Sequence, residues 1–192
     1  MEKRDFFKEF FKNKKLVGSI RPSSKALTDK MLSPIDFSKA KTIIELGPGT
    51  GVFTKEILLR MAPDAQLLVF ELHDQFFHNL KANIQDSRCH LIHDTAEKIP
   101  YYLEKFNLHQ ADVIVSSLPL ANFSKDLRGS IVSAAIESLS PKGVLTQFQY
   151  SLQSKKYLKT AFKKVQINYT FWNFPPAFIY VCMKDEKEQV AQ

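Results

Sequence analysis

Three of the six glycines in this 192-residue chain fall within five positions, as Gly47, Gly49 and Gly51 of the stretch ELGPGTG. Glycines at this density let the backbone take positive φ and approach a ligand closely. An acid, Glu45, stands just before them, and two more, Glu71 and Asp94, close the next two apolar runs, QLLVFEL and CHLIHD. A carboxylate at Glu71 can accept from both hydroxyls of a ribose. One at Asp94 can accept from an adenine amino group. Acids at the ends of three successive strands suit an adenosine-containing ligand. The plain alternative is a tight strand-to-helix turn with solvated acids, but three glycines and three acids at matching strand ends argue against it. The loop is neither GxGxxG nor a phosphate loop with its Lys-Ser/Thr pair. A nicotinamide cofactor stays open, although a short GPGTG loop suits the amino-acid end of S-adenosylmethionine better than a pyrophosphate.

The elements that must hold these residues follow from pattern. Residues 2–14 read as a helix, and a second begins at Pro22-Ser23-Ser24 and stops at Pro34. From residue 41 short apolar runs alternate with helical segments: strands at 41–46, 66–72, 89–93, 111–118 and 143–151, helices at 52–61, 74–84, 95–106, 124–139 and 154–164. The stretch VQINYTFWNFPPAFIYVCMK reads as two strands around Phe174-Pro175-Pro176, antiparallel to each other. This predicts an α/β fold, a seven-stranded, mostly parallel sheet ending in an antiparallel hairpin. The expected division is an N-terminal amphipathic helix and cap over 1–35, a cofactor-binding domain over 36–184 and a flexible polar tail over 185–192. Ligands in such sheets sit at the carboxyl ends of the strands, at the switch point.

Composition narrows the partners. The net charge of +7 and pI of about 9.3 favour phosphate-bearing partners: nucleic acid, anionic lipid or phosphorylated metabolites. Two cysteines without a CxxC argue against a disulfide framework, and five scattered histidines predict no metal site. No apolar run is long enough to span a bilayer, and the charged N-terminus is no signal peptide. The expected location is the cytoplasm, peripheral on the inner face of the membrane.

The stretch IIELGPGTGVFT (43–54) resembles motif I of class I methyltransferases, whose pattern is also five β/α units closed by a hairpin. It is especially similar to bacterial phospholipid N-methyltransferases and the related rRNA adenine dimethyltransferases. VGSIRPSSKAL (17–27), SSLPLANF (116–123), TQFQYSL (146–152) and NFPPAFIYV (173–181) resemble segments of the lipid branch. The resemblance implies S-adenosylmethionine as methyl donor. Glu45, Gly47, Gly49 and Gly51 would hold its methionine portion, Glu71 its ribose, and Asp94 with Thr95 its adenine; Ser116 would lie on the cofactor side. HDTAE (93–97) departs from the Gly-Asp-Ala of many relatives and brings the bulkier His93 and Thr95 beside the adenine position.

Ser117, Leu118 and Pro119 then form the acceptor end. Ser117 stands where many amine and adenine methyltransferases carry Asn or Asp, and Leu120 where they carry an aromatic. Without that ring a flipped adenine loses its stacking platform, whereas an alkyl amine needs none. The Leu118 carbonyl is expected to accept from the amine. No general base is evident. Tyr150, Tyr157 and Tyr169 are candidate walls for a cationic head group.

The opening MEKRDFFKEFFKNKK completes the expectation. On a helix Phe6, Phe7, Phe10 and Phe11 share one face, with Lys3 and Lys14 at its margins. This is the profile of an interfacial helix, or of a cap packed on the core. No acid occurs between Glu137 and Asp185, among many lysines. The reading is therefore an enzyme whose partners are an anionic membrane surface and an amino-lipid substrate, such as phosphatidylethanolamine. RNA is the less favoured acceptor, since rRNA dimethylases usually carry a further helical domain. A membrane-associated S-adenosylmethionine-binding protein without turnover is a third reading.

Overall fold

A computed structural model describes residues 23–184. The helix expected over residues 2–14, with Phe6, Phe7, Phe10, Phe11 and Lys14, lies outside the described residues, as does the polar tail.

The described chain opens with α1 (Lys25–Leu32), whose N-terminus is capped by Ser24 Oγ accepting from the Leu27 N–H at 3.1 Å. Five strand–helix units follow: β1 (Thr42–Leu46), α2 (Val52–Arg60), β2 (Gln66–Phe70), α3 (Asp74–Asn83), β3 (Cys89–Ile92), α4 (Ile99–Lys105), β4 (Ala111–Ser116), α5 (Lys125–Ser138), β5 (Leu139–Gln149) and α6 (Lys155–Ala161). A 3₁₀ turn at Ala96–Lys98 precedes α4, and another at Leu120–Asn122 precedes α5. The hairpin is β6 (Lys164–Thr170) and β7 (Ala177–Met183).

The sheet runs β3-β2-β1-β4-β5-β7-β6. Neighbours from β3 to β5 are parallel, and β7 is antiparallel to both β5 and β6. The expected mostly parallel seven-stranded sheet with a closing antiparallel hairpin is therefore the observed one.

Strand β1 alternates its side chains between two cores. Ile44 and Leu46 join Leu68, Phe70 and Ile114 against α4 and α5, with Ile99, Leu103 and Ile131. Ile43 joins Leu67, Val69 and Val113 on the opposite face, against Leu27 and Met31 of α1 and Phe53 and Ile57 of α2. Both Leu27 and Met31 are fully buried. Helix α1 thus shares the core of the sheet. An ion pair, Arg60–Asp29 at 2.6 Å, joins α1 to α2.

Several boundaries differ from the sequence reading, three of them for a reason visible in the pairing. Strand β4 stops at Ser116 rather than 118, because the chain curls so that Leu120 N–H bonds the Leu118 carbonyl at 2.8 Å. Strand β5 begins at Leu139, directly after α5. Helix α6 ends at Ala161 rather than 164, because Lys164 already pairs with Met183 across the hairpin.

The sheet order reverses at β1, whose neighbours β2 and β4 lead to opposite edges. Their carboxyl ends are laced one step beyond the strands: Gly47 N–H to Phe70 O at 3.0 Å, Ser117 N–H to Leu46 O at 2.9 Å, and Glu71 N–H to Ile92 O at 3.0 Å. This fixes the glycine loop, the Glu71 turn and the SSLPL loop around one crevice.

Candidate active site

The crevice is a cavity of ≈ 360 Å³. Its floor is the loop 47–50, with Glu71 and Leu72 from the end of β2 and Asp94, Thr95 and Ala96 from the end of β3. Ser117, Leu118, Pro119 and Asn122 close one side. Phe53, Phe148, Gln149 and Tyr150 close another, and Ser23 reaches it from before α1.

The loop needs its glycines. Gly47, Gly49 and Gly51 have φ of +70°, +55° and +80°, a region that costs a side-chain-bearing L-residue about 1–2 kcal/mol. They differ in what a side chain would meet. A Cβ on Gly47 would lie 2.8 Å from Leu118 Cδ2, and one on Gly51 2.7 Å from Leu80 Cδ2. A Cβ on Gly49 would meet nothing within 4 Å, so that side of the residue is left open for a ligand. Gly51 caps α2 and is not among the lining residues.

The three acids have separate environments. Glu71 is only 5% exposed; Oε2 accepts from Gly49 N–H at 3.2 Å and Oε1 from His73 N–H at 2.8 Å. Burial pushes its pKa up to about 7, although these two donors pull the other way. Asp94 Oδ1 accepts from the Thr95 N–H at 2.8 Å, and Oδ2 takes Lys98 Nζ at 3.0 Å and Tyr102 OH at 3.2 Å. Its burial acts upward, but Lys98 and the other donors together outweigh it and hold the carboxylate below its usual pKa. Glu45 is fully buried behind the loop and does not line the cavity. Neither of its oxygens has a hydrogen-bond partner of good geometry among the described residues. Burial pushes it up to about 8, opposed by nearby Thr54 and reinforced by the charge of Glu71.

The acceptor loop brings one correction. The Leu118 carbonyl, expected to be available to an amine, already accepts from Leu120 N–H at 2.8 Å and from Gln147 Nε2 and Gln149 Nε2, each at 2.9 Å. Both amide orientations are determined by their surroundings. Gln147 Nε2 also meets Phe148 O at 2.7 Å, and Gln149 Oε1 accepts from Ala121 N–H at 3.4 Å. A carbonyl has two lone pairs, so this one is saturated. Ser117 lines the cavity, and its Oγ is buried in the wall without a hydrogen-bond partner among the described residues. Ser116, 2% exposed, stands behind the wall and accepts from Leu118 N–H at 3.4 Å.

Other sequence-chosen residues divide. Thr95 lines the cavity and Tyr150 stands at its edge, 49% exposed. His93 turns away from the adenine position, stacking on Phe77 at 4.5 Å and facing Asp74 at 3.1 Å. Tyr157 and Tyr169 are not cavity walls. Tyr157 packs on the core under Arg128, 4.7 Å from its ring, because α6 carries it to the α5 side. Tyr169 sits in β6 against Phe178. The sequence reading assigned no role to Gln147 and Gln149; two glutamines two apart in an apolar strand were the available signal. Phe53 and Phe148, stacked at 6.2 Å, were also missed. Among the described residues no group of His, Cys, Asp and Glu is placed to hold a metal ion, and no helix is long and apolar enough to cross a membrane.

The family model for ribosomal RNA adenine dimethylase matches residues 2–167. The chain belongs to this family. Within curated relatives, an ornithine lipid N-methyltransferase from Singulisphaera acidiphila is 28% identical over 93% of this chain and 96% of its own length. A ribosomal RNA small subunit methyltransferase A from Mycoplasma mycoides is 27% identical over 82% of this chain, which spans 56% of that protein. Among solved structures, a precorrin-6y C5,15-methyltransferase from Geobacter metallireducens shares the fold with a TM-score of 0.67 at 14% identity, covering 84% of this chain and 89% of that one. The chain is an S-adenosylmethionine-dependent N-methyltransferase of class I, related to the rRNA adenine dimethylases.

The cavity fits that cofactor by its own geometry. Gly49 offers an open cradle, Glu71 holds a buried carboxylate at the wall, and Asp94 with Thr95 continues the wall at the next strand end.

Proposed function

We propose that the enzyme methylates the primary amine of a membrane lipid, such as phosphatidylethanolamine or a similar amino lipid. The observation that carries this reading is the placement of Leu120. At the position where base-modifying relatives present an aromatic, this side chain is 3% exposed and packed into the core with Phe123 and Leu127. The acceptor loop therefore offers no stacking ring to a base. The lipid-modifying relative, matched over nearly its whole length, supports the same reading. Gly47 and Gly49 would hold the methionine portion of S-adenosylmethionine, Glu71 the ribose hydroxyls, and Asp94 with Thr95 the adenine.

The bound cofactor supplies a methyl group on a sulfonium, open to in-line displacement. The protein's part is to position the amine and exclude water. Ser117 and Pro119 close the acceptor side, and Phe53, Phe148 and Tyr150 wall the approach. The two carboxylates that line the cavity, Glu71 and Asp94, stand at the cofactor side. The amine therefore enters neutral, its pKa lowered by the nearby sulfonium.

The family match and the rRNA methyltransferase relatives favour an RNA adenine as the second reading. Lipid mass spectrometry of a bacterial host rich in phosphatidylethanolamine separates them. Expression should add methyl increments to the head group. Unchanged lipids together with new methyladenine in the RNA would replace the first reading by the second.

A further inference from the structure

The turn between β6 and β7 carries an aromatic surface that neither the cofactor cradle nor the acceptor loop uses. Phe171 and Trp172 are 75% and 84% exposed. Large rings presented this fully on adjacent positions mark a contact surface rather than ordinary surface scatter. The turn is held in place from below. The Phe171 ring stands edge-on to Tyr169 with centroids 4.3 Å apart. Lys30 Nζ of α1 donates to Tyr169 O at 2.6 Å, and the Ser24 N–H donates to Asn173 Oδ1 at 3.1 Å. Asn173 also sits against Tyr150, which lines the cavity. The aromatic turn thus stands at the cavity rim, on a fixed support.

The segment that carries it is one-signed in sequence. From Ser138 to Lys184 the chain has seven lysines and no acid. Lys155, Lys156 and Lys159 of α6 are exposed, and Lys30 of α1 reaches the last residues of β6. Aromatic rings on a lysine-rich, acid-free segment match the head-group boundary of an anionic bilayer, where an indole buries its ring and keeps its N–H wet. Single-stranded RNA instead takes its stacking from rings that line a groove. Phe171 and Trp172 protrude from a hairpin turn.

We propose that the β6–β7 turn is a membrane-docking element. Phe171 and Trp172 enter the head-group boundary of an anionic membrane and set the cavity rim against it. The purpose of this docking rests on the amino-lipid reading; the docking itself is measured separately.

Trp172 is the only tryptophan in the chain, so its emission reports this turn alone. The full chain is titrated with phosphatidylcholine vesicles, with and without phosphatidylglycerol. With the anionic vesicles the emission should move to shorter wavelength and be quenched by brominated acyl chains. Phe171→Ser should weaken the partition about tenfold, with circular dichroism and cofactor affinity unchanged. Flotation with vesicles while Trp172 emission stays constant would overturn the proposal. So would blue-shifted emission before any vesicle is added, because the turn would then already be covered. Quenching by RNA but not by vesicles would overturn it as well. Methyl transfer to detergent-dispersed phosphatidylethanolamine, assayed in parallel, keeps the two claims apart. Transfer without a Trp172 shift sinks the docking alone. A shift without transfer to any amino lipid sinks the amino-lipid reading and leaves the docking standing.

Discussion

Glu71 Oε2 accepts the Gly49 N–H at 3.2 Å, so the acid at the end of β2 and the centre of the glycine loop are already joined before a ligand arrives. The bond preorganises the cradle. It also ties cofactor binding to pH. Burial pushes Glu71 up to about 7, and only the ionised form can accept from both hydroxyls of a ribose diol. Cofactor affinity should therefore fall about tenfold per pH unit below about 7 and level off above it. Calorimetry in buffers of different ionisation enthalpy should detect proton release on binding near pH 6. Equal affinity at pH 5.5 and pH 8 would remove Glu71 from the ribose site.

The two loop glycines should fail differently. Gly49→Val fills the open cradle and strains a φ of +55°, so cofactor affinity should drop at least about 100-fold, by more than backbone strain alone would explain. Gly47→Ala places a methyl group 2.8 Å from Leu118 Cδ2, strains a φ of +70° and pushes that side chain into the acceptor end of the cavity. That variant should lose turnover by more than it loses cofactor affinity. Full turnover in Gly47→Ala would show that the position of Leu118 is not critical.

Saturation of the Leu118 carbonyl gives Gln149 a positioning role. Gln149→Ala removes one of the three donors to that carbonyl and unties the Ala121 N–H. Turnover should fall about tenfold while cofactor affinity stays constant, because the cofactor side of the cavity is untouched. Gln149→Glu should not rescue, since a carboxylate cannot donate to that carbonyl. Rescue by glutamate would point to the oxygen, and not the amide N–H, as the working group.

Buried Glu45 should make stability fall with rising pH. Its folded pKa, about 8, lies above the ordinary 4.5. Between those values the unfolded chain has released the proton that the folded chain still holds. Stability is thus lost progressively across that window and the loss is complete above it. Glu45→Gln keeps the shape of the protonated acid without this loss, and should be the more stable protein at pH 8 by about 1–4 kcal/mol. Denaturant melts at pH 4.5 and pH 8 check the sign. A gap that does not widen with pH would mean that Glu45 ionises freely in the folded chain.

Much of this site could be read in the sequence because its parts are local. The glycines, the acids at strand ends and the break at SSLPL are each set by a few consecutive residues, and β/α alternation places them at one edge of the sheet. What escaped depends on pairing between distant strands. The Leu118 carbonyl is saturated only because Ser116 on β4 pairs with Gln147 on β5, which swings both glutamines over the loop. That the hairpin is antiparallel was legible from its short turn. That β7, and not β6, pairs with β5 was not read, although β6 alternates Lys164, Gln166 and Asn168 with apolar residues, the pattern of an edge strand, whereas β7 is apolar throughout. Tyr157 was misplaced for a similar reason: helix periodicity gives a face, but only packing against α5 says where that face points.

The most direct test of the account is a parallel incubation with methyl-labelled S-adenosylmethionine and two acceptors, phosphatidylethanolamine vesicles and total RNA, at matched salt. Matching matters because both acceptors attract a basic protein. The account predicts label in the organic extract, lost in Gly49→Val, with the RNA unlabelled. Label on RNA and none in lipid would contradict it, and would mean that the buried Leu120 is no bar to a base.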